Sequence, residues 1–311
     1  MQLRIIVVGF GMQGRQRQRI AGEECVATVD PDSPDADFRD VTAIPIDAFD
    51  AALICVPDHA KIGIAEYLVA HGKHVLIEKP LIGEDSALER LEQLARARRA
   101  VCYVAYTSRF EPHVVRMRDL IASGELGRVY RCRMFYGNGT APLVRESAWR
   151  DQGGGVIPDL GSHLFDIARF WFGDLSDDVV LVSADRFENR APDHAVFVAA
   201  NGWPRLELEV TLLSWRNDFV CDLFAEHGTA HIRSLCKWGP TEFVWRRRVP
   251  QGGQPREEAL TLVQDDPTWE LEYDHFKQMC REGAASGLRN DLWLNRMLRK
   301  LSTDAGRVIR Q

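Results

Sequence analysis

Short runs that are apolar at nearly every position alternate with helical patterns through the first third of the chain. The runs are Leu3–Val8, Cys25–Val29, Ala51–Val56, His74–Ile77 and Val101–Ala105, with helical patterns at Gln13–Ala21, His59–His71 and Glu84–Arg99 between them. A strand without a polar face must be covered on both sides. This alternation therefore predicts βαβ units and a doubly wound parallel sheet between helices. Thr42–Ile46 is a further, weaker strand candidate, short and interrupted by Pro45.

Beyond about Arg109 the pattern changes to long strands with two helices among them, Pro112–Ser123 and Gly161–Phe172. The expected strands are Arg128–Gly137, Val179–Phe187, Ala195–Ala200, Arg205–Trp215, Phe219–His227, Thr229–Arg233, Thr241–Val249 and Glu258–Val263. Within Arg205–Leu212, Leu206, Leu208, Val210 and Leu212 share one face, while Arg205, Glu207, Glu209 and Thr211 share the other. Such alternation describes a large, mostly antiparallel open sheet with one buried face, its second face wet or covered by another subunit. Helices at Pro267–Glu282 and from Asp291 to about Ile309 close the chain. The expectation is α/β plus α+β, with a Rossmann-type domain at 1–108 and a second domain at 109–311 for substrate binding and oligomerisation. The last helices are available to pack back on the first domain.

Composition narrows the function classes. A net charge of −6 disfavours nucleic acid and anionic membranes, which need a basic face. The apolar start at Ile5–Val8 is too short for a signal peptide, and no stretch reaches the ~18 apolar residues of a membrane span. The seven cysteines form no C-x-x-C pair, so reduced thiols of a cytoplasmic protein are expected, and no metal site.

Gly9-Phe10-Gly11-Met12-Gln13-Gly14 follows a strand and opens a helix, the setting of a dinucleotide-binding turn whose glycines let the backbone approach a pyrophosphate. Asp30 ends the second strand, 21 residues after Gly9, where a carboxylate accepts hydrogen bonds from the adenosine ribose hydroxyls. It would repel a 2′-phosphate, and Pro31, Asp32 and Ser33 offer no arginine in compensation, so NAD is expected over NADP. Arg15, Arg17 and Arg19, spaced two apart, cannot share a helix face and read as solvated charges.

His74-Val75-Leu76-Ile77-Glu78-Lys79-Pro80 places a lysine at the carboxyl end of a parallel strand, where open α/β sheets bind ligands. From Gly72 to Pro80 the chain resembles the glucose–fructose oxidoreductase, inositol dehydrogenase and MocA family, with its G-K-H-V-hydrophobic-x-E-K-P signature. Trp149-Arg150 and Gly153 to His163 are similar to the family's G-G-G-x-x-x-D-x-G-x-H element, and Tyr106–Pro112 to its interdomain segment. The family's T-P-N-x-x-H loop reads Val56-Pro57-Asp58-His59-Ala60-Lys61 here, a departure on the nicotinamide side. The resemblance implies a cofactor site including Val56, Pro57, Glu78 and Lys79, substrate contacts from Trp149 and Arg150, and a catalytic trio of Lys79, Asp159 and His163.

That trio suits carbinol oxidation, which needs a base for the hydroxyl proton while hydride leaves. Asp159 and His163, four apart, share a face if a helix begins there. His163 is the natural acid/base. Lys79 can stabilise developing alkoxide, and whether it or His163 is the base stays open. The plain alternatives are a core histidine, a solvated strand-end lysine and a helix-capping aspartate. The expected function is hydride transfer between nicotinamide and a sugar, polyol, sugar nucleotide or related carbonyl compound, by a homodimer or homotetramer. An NAD-dependent glycosidase of the same fold and a non-catalytic dinucleotide-binding regulator are the alternatives.

Overall fold

In the computed structural model, residues 3–147, 150–199, 201–202, 204–283 and 287–308 are described. The chain divides into two compact units, residues 1–107 with 268–296 and residues 108–267 with 297–311.

The first unit is built on five parallel strands: β1 (Ile5–Val8), β2 (Cys25–Val29), β3 (Ala51–Ile54), β4 (His74–Glu78) and β5 (Cys102–Ala105). They lie in the order β2-β1-β3-β4-β5. Helices α1 (Met12–Ala21), α2 (Asp58–Ala70) and α3 (Asp85–Arg98) connect them. Every residue of β1, β3 and β5 is buried, which is why their sequences carry no polar alternation. The Thr42–Ile46 segment forms no strand. Two 3-10 turns, Val41–Ala43 and Ile46–Ala48, replace it. Asp40 caps the first by accepting from the Thr42 amide at 2.7 Å, and Pro45 has no amide to offer a ladder.

The second unit holds helices α4 (Pro112–Ala122), α5 (Ala141–Arg145) and α6 (Ser162–Phe172) and eight strands. The strands are β6 (Val129–Gly137), β7 (Val179–Asp185), β8 (His194–Ala199), β9 (Arg205–Thr211), β10 (Asp218–Ala225), β11 (Gly228–Arg233), β12 (Thr241–Arg247) and β13 (Arg256–Leu262). Their order is β13-β12-β11-β10-β6-β9-β8-β7. Neighbours are antiparallel except β6 and β9, which run parallel with Cys132 beside Leu206. Leu206, Leu208 and Val210 are buried, as the alternation predicts, along with Cys132, Met134, Phe219, Cys221 and Leu223 on the neighbouring strands. Helices α4 and α6 pack against this sheet. Elsewhere on the sheet, Arg131 pairs with Glu207, while Val180 and Val182 are exposed.

Two helices close the chain, α7 (Thr268–Glu282) and α8 (Arg289–Val308), the latter crossing the division between units. Tyr273 and Phe276 of α7 join Ile5, Val7, Leu53, Leu76 and Tyr103 in the first unit's core. All seven cysteines are free thiols. Among the described residues no helix is long and apolar enough to cross a membrane.

Candidate active site

Steric necessity explains the glycine turn after β1. Gly9 has φ +90°, and a Cβ there would stand 2.5 Å from the Cys55 carbonyl oxygen; at Gly14 it would stand 1.9 Å from that of Gly9. At Gly11 a Cβ would meet no protein atom, so the space it faces is open to an approaching ligand. Helix α1 begins there with no side-chain cap and no acidic residue in its first turn, and exposed Met12 and Gln13 form its opening. An uncapped helix start beside an open cradle fits a dinucleotide pyrophosphate.

Asp30 stands beside this turn. Its Oδ2 accepts from the Phe10 amide at 2.7 Å, and its Oδ1 accepts from the amides of Asp32 and Ser33. Burial alone would raise its pKa, but the amides of Phe10, Ser33 and Asp32, with Arg39 beyond them, hold it below the usual carboxylate range. Pro31 to Ser33 carry no arginine, but one from farther along the chain approaches Asp30. Arg39, nine residues on, donates to the carbonyl of Ser33 at 2.5 Å. Arg15 lies over the Phe10 ring at 4.5 Å and pairs with Asp35.

Lys79 follows β4 on the same carboxyl-terminal edge of the sheet as the glycine turn. Its backbone is gripped by Lys61, which is almost fully buried and donates to the carbonyls of Lys79 at 3.3 Å and Pro80 at 2.9 Å and to Asp58 at 2.6 Å. Burial pushes the Lys61 pKa down, Asp58 opposing it. The departure at Lys61 thus has a local function: the ammonium fixes the Lys79–Pro80 loop. Half-buried Val56 and exposed Pro57 follow β3 on that edge.

Arg17 corrects the reading of its helix as solvated. It is fully buried, its Nε donating to Glu78 at 2.7 Å and its Nη2 to Glu272 of α7 at 2.7 Å, with Trp269 at 4.3 Å beneath it. Burial disfavours its charge, but Glu78 and Glu272 more than offset this and raise its pKa. The Glu78 carboxylate, expected at the cofactor, is therefore engaged by Arg17.

In the second unit, Ile157–Gly161 is a π-helical turn that runs directly into α6 and carries Asp159. Such widened turns concentrate at functional sites. Gly155 before it has φ +52°, and a Cβ there would press on the Pro192 carbonyl at 2.2 Å. Arg150 Nη2 lies 3.3 Å from Asp159 Oδ2, so these two expected site residues do meet. Trp149 lies outside the described residues. His163, largely buried on α6, places Nδ1 3.2 Å from the Ser108 hydroxyl and its ring 5.5 Å from that of Tyr136. Arg109 bonds to fully buried Asp166 of α6, Nε to Oδ2 at 2.9 Å, which holds the Ser108 turn in place. Ser108, Tyr136, Asp166, the role of Lys61 and the Arg17 pairings are not evident from the sequence. For Ser108 and Asp166 the one available signal was proximity to the Tyr106–Pro112 and Gly153–His163 motifs. Among the described residues no group of three or more His, Cys, Asp or Glu could hold a metal ion.

Comparison with known proteins gives two family matches. Residues 3–106 match the oxidoreductase family with an NAD-binding Rossmann fold, and residues 114–231 match the Gfo/Idh/MocA C-terminal domain. An inositol 2-dehydrogenase of Rhizobium meliloti is 28% identical over 48% of this chain and 44% of its own length. A trans-1,2-dihydrobenzene-1,2-diol dehydrogenase of Oryctolagus cuniculus is 26% identical over 73% of this chain and 68% of its own. The match thus spans less than half of the first relative and about two thirds of the second. A levoglucosan dehydrogenase structure in complex with NADH superposes with a TM-score of 0.82 at 17% identity, covering 99% of this chain and 98% of that one.

Proposed function

The chain belongs to the Gfo/Idh/MocA family of oxidoreductases with an NAD-binding Rossmann fold, and from that premise we propose that it is a dehydrogenase acting on a carbinol of a sugar, polyol or sugar nucleotide. The observation that carries this reading is the shared edge of the first sheet. The glycine turn and Lys79 stand at the carboxyl ends of parallel strands in one unit, with the Lys79 loop locked by Lys61. The activities for which the relatives are named, dehydrogenation of inositol and of a dihydrodiol, support the same substrate chemistry.

Gly9–Gly14, Asp30, Val56 and Pro57 would hold the dinucleotide. Bound NAD supplies the hydride acceptor. Asp30 favours the free ribose over a 2′-phosphate. His163 takes the hydroxyl proton; with Nδ1 beside Ser108, proton transfer falls to Nε2. Lys79 stabilises the developing alkoxide by charge and hydrogen bonding. Asp159, held by Arg150, accepts from a neighbouring substrate hydroxyl and orients the sugar. The seven free thiols support a reducing, cytoplasmic setting.

The test is product analysis with NAD and a panel of polyols, sugars, sugar acids, sugar nucleotides and glycosides. Net accumulation of NADH with a ketone product is expected. Aglycone release without net NADH would replace this reading with transient oxidation in a glycosidase, and NAD binding without any turnover would point to a regulator.

A further inference from the structure

Within the second unit a lysine, Lys237, reaches the ring that packs on His163. Between β11 and β12 the chain makes a short 3-10 turn, Cys236–Trp238. The turn is pinned from behind, where buried Glu111 accepts from the Cys236 amide at 3.2 Å and from its thiol at 2.7 Å. From it Lys237 reaches back over the sheet, and Nζ donates to the Tyr136 hydroxyl at 3.2 Å. Nζ also lies 4.7 Å from the Trp238 ring centre and 5.6 Å from that of Tyr136. The Tyr136 ring packs on His163 at 5.5 Å and edge-on against Trp238 at 5.4 Å. Lys237, Tyr136 and His163 therefore form one continuous row, with Trp238 as its wall.

Lys237 is exposed, and the protein that does lie near its ammonium disfavours the charge. Tyr136, Asp266 and Glu111 keep it protonated. Among the described residues no carboxylate pairs with Nζ directly. Its one protein acceptor there is a neutral phenol, so two of its three N–H donors have no acceptor among them. With its oxygen accepting from Lys237, the Tyr136 hydroxyl has its own proton left to donate. A cation with unspent donors, a phenol beside it and an indole wall make up a receptor for an oxyanion on a ring-bearing ligand. Asp266 and Glu111 at longer range oppose added negative charge, so a singly charged carboxylate is accommodated better than a doubly charged phosphate.

We propose that Lys237, with Tyr136, anchors a carboxylate on the substrate, so that this site takes a sugar acid in preference to the neutral sugar or polyol. The inference rests on the dehydrogenase reading for where the carbinol sits, and Lys237 becomes a specificity-determining residue of that site.

The test compares three ligand classes with the intact protein and NAD: uronates or aldonates, the matching neutral sugars and polyols, and the matching sugar phosphates. Each is followed by turnover and, independently, by calorimetric binding in the presence of NADH. The expected result is a kcat/KM for an acid above that of its neutral counterpart. Lys237→Met should raise KM for the acid roughly 10- to 100-fold, the range for losing a hydrogen bond to a charged group, with a much smaller change in kcat. Lys237→Arg should restore most of the preference, which a merely structural lysine would not show. Acid binding that depends on Lys237 without any turnover would uphold this inference while overturning the dehydrogenase reading. Equal or better turnover of neutral sugars would overturn this inference and leave that reading intact. Preference for the phosphates would overturn the carboxylate assignment, and binding of no class would overturn both.

Discussion

At the scale of single residues, Asp30 and Arg39 oppose each other at the end of β2. The carboxylate already accepts three backbone amides and is held below the ordinary range, so it is negative whenever a dinucleotide arrives. A 2′-phosphate beside it would meet like charge, which Arg39, with one nitrogen donating to the carbonyl of Ser33, offsets only in part. Titration calorimetry should therefore give tighter binding of NAD than of NADP, and Asp30→Ser should narrow or reverse the gap; tighter NADP binding by the unaltered protein would contradict this. Arg39 leaves no mark in the sequence next to Asp30, because its approach depends on the turns following β2. The roles of Lys61 and Ser108 were hidden for a related reason. Their importance lies in which backbone oxygen or ring nitrogen they meet, and spacing along the chain does not carry that information. The spacing of four between Asp159 and His163 marks both as candidates, although Asp159 stands in a π turn and His163 on α6, so α-helical spacing does not itself place them on one face.

At the scale of elements, the buried triad of Arg17, Glu78 and Glu272 joins α1, β4 and α7. Removing the guanidinium strands two carboxylates, one of them fully buried, and breaking such a pair costs about 3–5 kcal/mol. Arg17→Met should lower the first thermal transition by well over the shift of an ordinary surface substitution, and adding Glu272→Leu should recover part of the loss, since it removes one stranded charge. A melting curve for Arg17→Met matching that of the parent would refute the role assigned to the triad. Apart from Thr42–Ile46, strand positions were legible: β9 and its neighbours lie near where the alternation does, because burial of one face selects the sequence directly. The 3-10 turns at 41–48 and the π turn at 157–161 were not legible. Each is decided by local capping and packing, which leave no period. The parallel pairing of β6 with β9 was hidden likewise, since one-faced burial reads the same in either direction.

At the scale of the whole molecule, the large sheet leaves exposed apolar side chains, among them Val180 and Val182, and Trp215 stands exposed beyond β9. Covering such surface by a second copy is the economical solution, and light scattering should give a homodimer or homotetramer; a monomer at every working concentration would contradict it. The central claim is that Lys79 and His163 perform proton and charge work on a carbinol while the glycine turn and Asp30 hold the dinucleotide. These tasks fall to different residues, so they should separate on mutation. The most direct measurement is NADH formation by His163→Asn on a verified substrate, read beside its NAD affinity. The account predicts turnover reduced roughly 10²–10⁴-fold, the usual contribution of a positioned acid/base, with NAD affinity little altered. Full activity in His163→Asn would place the base elsewhere and contradict the mechanism.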